Sequence, residues 1–140
     1  MSTDHTHLTW KTYGREKLQD CRIFSVYTVQ REATDGTRGS FIEIDAPDWV
    51  TVIPEITDEA GELSFLMVQQ YRHGTDTVTW EFPAGTVELG EQKREAALRE
   101  LLEETGFLAG ELIELGEVSP NPAFMKNRVT TFLARKLNKV

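Results

Sequence analysis

The stretch Gly85–Phe107, GTVELGEQKREAALRELLEETGF, carries the decisive pattern of this chain. Within it Arg99-Glu100-Leu101-Leu102-Glu103-Glu104 reads as helix, and the helical repeat sets Glu100 and Glu104 one turn apart on one face with Glu103 beside them. Like charges at this spacing destabilise an isolated helix by a few tenths of a kcal/mol per pair, so a chain that keeps these carboxylates together calls for something to neutralise them. A hard divalent cation, which prefers carboxylate oxygens, suits that role.

Working outward, the helix is expected to begin near Gly90 or Glu91 and to end at Gly106, where glycine suits a left-handed cap. Leu98, Leu101 and Leu102 form an apolar stripe predicted to face away from the carboxylates. Upstream, residues 22–29 (RIFSVYTV) read as a strand, residues 34–37 (TDGT) as a turn, and residues 40–45 as a second strand. Residues 49–57 and 62–72 flank the turn Asp58-Glu59-Ala60-Gly61 and predict a hairpin, with residues 63–68 apolar enough for a strand buried on both faces. Residues 77–82 form a further strand stopped at Pro83, and residues 112–118 and 129–137 closing strands either side of the loop SPNPAF. The expected architecture is a mixed α+β sheet with one central helix. A second helix has no place in this reading.

The quoted stretch resembles the Nudix box at every position: Gly85, five residues, Glu91, seven residues, Arg99, Glu100, apolar Leu101, one residue, Glu103, Glu104, one residue, Gly106 and apolar Phe107. Chance agreement at all these positions is on the order of 10⁻⁸ or less per window with average residue usage. The resemblance implies an α/β/α sandwich of the Nudix type, α/β in class, and hydrolysis of a diphosphate bond with Mg²⁺, or Mn²⁺ as a substitute. It implies that Glu100 and Glu104 are the principal metal ligands, with Glu103 contributing and the backbone carbonyl of Ala84 joining them. Arg99 corresponds to the family arginine that pairs with Glu91 and orients the catalytic strip, while Gly85 and Gly106 are turns that shape the site. The chemistry is consistent with the residues. A diphosphate repels an incoming nucleophile, so its phosphate charge must be neutralised and a water deprotonated near neutral pH.

The flanks extend the resemblance. Gln69-Gln70-Tyr71-Arg72 and Trp80-Glu81-Phe82-Pro83-Ala84-Gly85 are similar to the Q-Y-R and E-x-P-A-G patterns of Nudix enzymes acting on ADP-ribose and other nucleoside diphosphate sugars, and Pro122 stands where that subgroup carries a proline. Arg72 is then a phosphate or substrate contact, since a guanidinium matches phosphate oxygens in a fork, or else a strand-end surface arginine. Glu81 is a second candidate beside the substrate. Tyr27, Trp49, Trp80 and Phe124 are aromatics that could stack a base or belong to the core. The chain departs from the subgroup downstream: Ala123-Phe124-Met125-Lys126-Asn127 lacks the glutamate that serves many members as general base. The proton acceptor is therefore open among Glu103, the other box carboxylates and the metal's own water. The chain also ends soon after Leu137, where many relatives continue into a helix. Alternatives are a nucleoside triphosphate pyrophosphatase, a dinucleoside polyphosphate hydrolase, or a nucleotide-sugar-binding module without catalysis.

Composition narrows the field. A chain of 140 residues, 39% of them apolar, is expected to form one domain over residues 1–140, with residues 1–45 contributing a strand pair to a homodimer. No apolar run reaches the length of a membrane span, and the first residues lack the order of a secretory signal. The lone Cys21 fits a reducing cytoplasm. A net charge of −8 disfavours a nucleic-acid surface, yet the segment after Glu117 carries no carboxylate and five lysines and arginines, which leaves local positive charge for a small anionic substrate. Glu88 and Glu95 read as surface residues, and the His5-x-His7 pair is expected to bind no metal.

Overall fold

The computed structural model describes residues 4–140. The chain divides into two compact units, one running up to Ala46 together with Ser119–Asn127, the other Pro47–Val118 together with Arg128–Val140.

The first unit is a three-stranded antiparallel sheet of β1 (Trp10–Asp20), β2 (Ser25–Ala33) and β3 (Arg38–Asp45), in that order. The expected strands at residues 22–29 and 40–45 are there, shifted to β2 and β3. The strand the sequence reading left out is β1, whose side chains are almost all exposed and show no apolar alternation. Its backbone ladder with β2 holds it, and no local pattern announces such a ladder. Across this sheet Arg15 bonds Glu43 and Asp45 at 2.9 and 2.6 Å and lies 3.4 Å from the centre of the Tyr27 ring, which occupies that aromatic face. The segment Ser119–Asn127 joins this unit by backbone pairing, Ile44 N–H donating to Phe124 O at 2.7 Å and Lys126 N–H to Ile44 O at 3.0 Å.

The second unit is built on β4 (Trp49–Thr57), β5 (Leu63–Phe65), β6 (Val68–Arg72), β7 (Thr77–Glu81), β8 (Ala84–Thr86), helix α1 (Lys93–Thr105), β9 (Phe107–Val118) and β10 (Val129–Lys139). Its main sheet runs β5-β4-β10-β9, with β8 also on β4, and is mixed because β4 and β10 are parallel. Alternate residues of β4 (Val50, Val52, Pro54) and β10 (Thr130, Phe132, Ala134) are buried, so one pleat face makes the core and the other stays half-exposed. Helix α1 closes that core with Ala96, Ala97 and Leu101 against Val50, Val52, Leu112 and Phe132. This is the mixed sheet with a single central helix that the sequence predicted. Among the described residues α1 is the only α-helix.

Three local expectations are corrected. The apolar run at residues 63–68 is not a strand buried on both faces: β5 ends at Phe65, and Leu63, Phe65 and Met67 are 63%, 47% and 41% exposed. The run divides between two partners, β5 pairing with β4 and β6 with β7. The helix starts at Lys93 rather than at Gly90 or Glu91, because Gly90 takes a left-handed φ of 84° and Glu95 then caps the Gln92 N–H at 3.1 Å. Leu102 leaves the apolar stripe and is 37% exposed, its place in the core being taken by the two alanines. The glycine cap stands as expected, Gly106 having φ 73° and donating to Leu102 O at 2.8 Å.

Candidate active site

The box residues sit where β8 meets α1. Val50 pairs with Gly85, so Gly85 lies on the pleat face that α1 covers, and the side chain of Glu100 lies directly against it. A Cβ on Gly85 would stand 2.0 Å from Glu100 Oε1 and 2.1 Å from Glu100 Cδ, so any larger residue there would force the Glu100 carboxylate to move. One turn on, Glu104 Oε2 accepts the Ala84 N–H at 3.1 Å. Burial pushes the Glu104 carboxyl above its ordinary value; the charges of Glu100 and Glu81 add to the shift, against the Ala84 N–H and Arg72.

Arg99 ties the strip together. Its Nε and Nη2 bond Glu91 Oε1 and Oε2 at 2.9 and 3.0 Å, Nη1 reaches Glu100 Oε1 at 2.7 Å and Glu103 Oε2 at 3.5 Å, and Nη2 also donates to Thr86 O at 3.0 Å. Glu91 is drawn below its ordinary value by Arg99 and by the Glu88 N–H. Glu103 is the outlying carboxylate, with its side chain 59% exposed. Glu88 and Glu95 serve the turn and the helix cap.

The hairpin β6–β7 supplies the second half of the site. Its register puts Val68, Gln70, Arg72, Thr77, Thr79 and Glu81 on one face, and Gln69, Tyr71, Val78 and Trp80 on the other. Along the first face Arg72 reaches Glu81, with Nε at 2.9 and 3.1 Å and Nη2 at 2.6 Å from its carboxylate oxygens. Thr79 bonds the same carboxylate. Arg72 and then Thr79 hold the Glu81 carboxyl down at about 2, so it is ionised throughout the physiological range. This face and the half-exposed face of the sheet bound a cleft of about 580 Å³ lined by Trp49, Thr51, Arg72, Glu81, Ala84 and Gly85, among others. The sequence had left Arg72 and Trp49 undecided; both belong to this cleft.

Oxygen donors at Glu100 and Glu104 beside the Ala84–Gly85 backbone are of the kind a hard divalent cation takes, and the upward shift of Glu104, which comes first from burial and then from the neighbouring Glu100 and Glu81 charges, is of the sign a nearby cation would offset. Among the described residues no three carboxylate, imidazole or thiolate groups converge into a closed cage. An ion of the Mg²⁺ type needs none, because it keeps waters and substrate phosphates in its shell alongside one or two carboxylates. His5 and His7 flank or form an exposed 3₁₀ turn, Thr6–Leu8, and no third metal-ligating group gathers with them among the described residues. No helix among the described residues is long and apolar enough to cross a membrane.

Comparison with known proteins gives the family. The NUDIX domain family model matches residues 46–139. An ADP-ribose pyrophosphatase of Bacillus subtilis is 32% identical over 128 residues, covering 91% of this chain and 67% of that protein. An ADP compounds hydrolase of Escherichia coli is 28% identical over 124 residues, covering 87% and 64%. Among solved structures, a crystal structure of an ADP compounds hydrolase superposes with a TM-score of 0.80 at 27% identity, covering 93% of this chain and 69% of that one. The chain thus spans about two thirds of the length of these relatives. With the box intact, its carboxylates packed on the Gly85 turn and the family model spanning all of the second unit except Val140, this chain belongs to the Nudix family.

Proposed function

We propose that this chain is a divalent-metal-dependent pyrophosphatase that hydrolyses the diphosphate bond of nucleoside diphosphate sugars of the ADP-ribose and GDP-mannose type, giving a nucleoside monophosphate and a sugar phosphate. The observation that carries the reading is the pairing, within one unit, of the Glu100–Glu104 strip on the Gly85 turn with an arginine, Arg72, fixed in the adjoining cleft by Glu81. The relatives named for ADP-ribose and ADP compounds support it.

Glu100 and Glu104, with the Ala84 carbonyl, would hold Mg²⁺, or Mn²⁺ in its place. The bound ion neutralises phosphate charge and acidifies the attacking water. Arg72 binds phosphate oxygens, its fork held in place by Glu81. Arg99 keeps Glu91, Glu100 and Glu103 in register. Glu103, held among the described residues by the 3.5 Å contact to Arg99, is the box carboxylate freest to take the proton as water adds to one phosphorus and the bridging P–O bond breaks. We place the protein in the cytoplasm, on its lone cysteine, and take it to act as a homodimer through the exposed strands of the first unit, where Trp10, Tyr13, Leu18 and Phe41 are uncovered.

Product analysis tests the reaction. With Mg²⁺, a panel of ADP-ribose, GDP-mannose, UDP-glucose, a dinucleoside polyphosphate and the common nucleoside triphosphates should yield nucleoside monophosphate from the diphosphate sugars. Turnover confined to the triphosphates or the dinucleoside polyphosphate would refute the substrate class, and none with either ion would refute catalysis. Sedimentation as a monomer at micromolar concentration would refute the dimer.

A further inference from the structure

We propose that Trp49 is the platform on which the nucleobase of the substrate stacks, an inference that rests on the nucleotide-sugar reading and adds a specificity residue to it. The structure sorts the aromatic candidates. Trp80 pairs with Gln69 on the hairpin face opposite to Arg72 and is turned away from the cleft. Tyr27 and Phe124 belong to the first unit, and the Tyr27 ring is covered by Arg15. Trp49 alone of the four lines the cleft with Arg72, Ala84 and Gly85.

Its place follows from register. Val50 and Val52 point into the core, so Trp49 and Thr51 point to the other pleat face, and the partners opposite Trp49 on its two sides are Thr86 and Val129. The indole stays half-buried in the cleft wall and stacks on no other ring among the described residues. An apolar π surface left partly to water, a guanidinium across the same cleft and threonines beside it suit a ligand with a flat heteroaromatic end joined to a phosphate end. A nucleobase has such faces, whereas a ribose offers no flat apolar surface to an indole.

The test separates this idea from the hydrolysis reading by measuring the two product halves. AMP should quench tryptophan fluorescence of the wild type and of a Trp10→Phe/Trp80→Phe double variant, and ribose 5-phosphate should not. Replacing Trp49 by Leu should weaken AMP binding about tenfold or more, in the range found when a stacking aromatic is removed, while Trp49→Phe keeps most of the affinity and ribose 5-phosphate inhibition stays within twofold. The Phe variant preserves a ring, so a Leu variant that fails to fold leaves a test standing: a folded Phe variant that loses AMP affinity about tenfold or more overturns the proposal. So does equal AMP affinity in folded Trp49→Leu, absence of AMP quenching in the wild type, or loss of ribose 5-phosphate inhibition instead. A wild type that hydrolyses nothing in the panel yet is quenched by AMP through Trp49 would overturn the hydrolase reading and leave the stacking platform.

Discussion

Replacing Gly85 by alanine should disable the site while leaving the fold nearly intact. The added Cβ meets Glu100 Oε1 at 2.0 Å and Cδ at 2.1 Å, and an ordinary contact begins at 3.4 Å, so the carboxylate must retreat by about 1.4 Å. That retreat also draws Glu100 from its 2.7 Å bond to Arg99. A displacement of this size at a catalytic ligand costs on the order of 10²-fold in turnover. Stability falls far less, because the clashing atoms end a flexible side chain: about 1 kcal/mol, the low end for overpacking, or a few degrees in Tm. The assay is kcat and the Mg²⁺ concentration for half-maximal rate, alongside a thermal melt. Gly90→Ala is the control. Its Cβ meets nothing within 4 Å but its φ is 84°, so it should lose about 1 kcal/mol of stability and keep full activity per folded molecule. A Gly85→Ala protein within twofold of the wild type in both kcat and metal requirement would refute the placement of Glu100 in the working site.

Three further outcomes are expected. Glu104→Gln should abolish most Mg²⁺-supported activity with Tm nearly unchanged, since the amide oxygen can still accept the Ala84 N–H; unchanged turnover sinks Glu104 as a ligand. Glu81→Gln should raise KM for a diphosphate sugar several-fold with little loss of stability, because the Arg72 pair is partly exposed and such pairs contribute about 1 kcal/mol or less; an unaltered KM means that Glu81 does not set the Arg72 fork. At the far end of the helix, Lys93, Arg128 and Thr130 hold the Glu117 carboxyl down at about 2. A carboxyl lowered in the folded state stabilises fully above its unfolded value of 4.5, and that stabilisation is lost as pH falls from 4.5 towards about 2. Glu117→Gln should therefore melt lower than the wild type at neutral pH and converge with it in acid, as followed by near-ultraviolet circular dichroism; a constant gap across that range would contradict the network.

The network around Glu117 also bears on the departure from the subgroup in the loop that follows. Lys93 bridges Asp48 and Glu117, Arg128 bonds Glu117 at 3.1 Å, and the Arg128 N–H donates to Asp48 at 2.8 Å. The last carboxylate of the chain is thus committed to joining α1, β9 and β10. With its oxygens taken by Lys93, Arg128 and Thr130, it is no free proton acceptor.

By itself the sequence determined the family, the box helix and its carboxylate face, because these depend on spacing within one short segment whose 3.6-residue period turns sequence position directly into geometry. Gly106 as the helix end and Gly61 in the β4–β5 turn were legible for the same local reason. Tertiary structure alone decided what depends on residues far apart in the chain. The parallel pairing of β4 with β10 brings together residues about eighty positions apart, and it is this pairing, with β8 on the same strand, that puts Trp49 on a cleft wall. The hairpin register, and not composition, put Arg72 and Glu81 on one face and Trp80 on the other. Hydrophobicity misread residues 63–68 because that run changes pairing partner partway, and it passed over β1 because a strand held by its ladder needs no apolar face. Nor does the box reveal what a side chain at Gly85 would disturb: it is a Glu100 carboxylate fifteen residues on, pressed against Gly85 only once α1 has packed on the sheet.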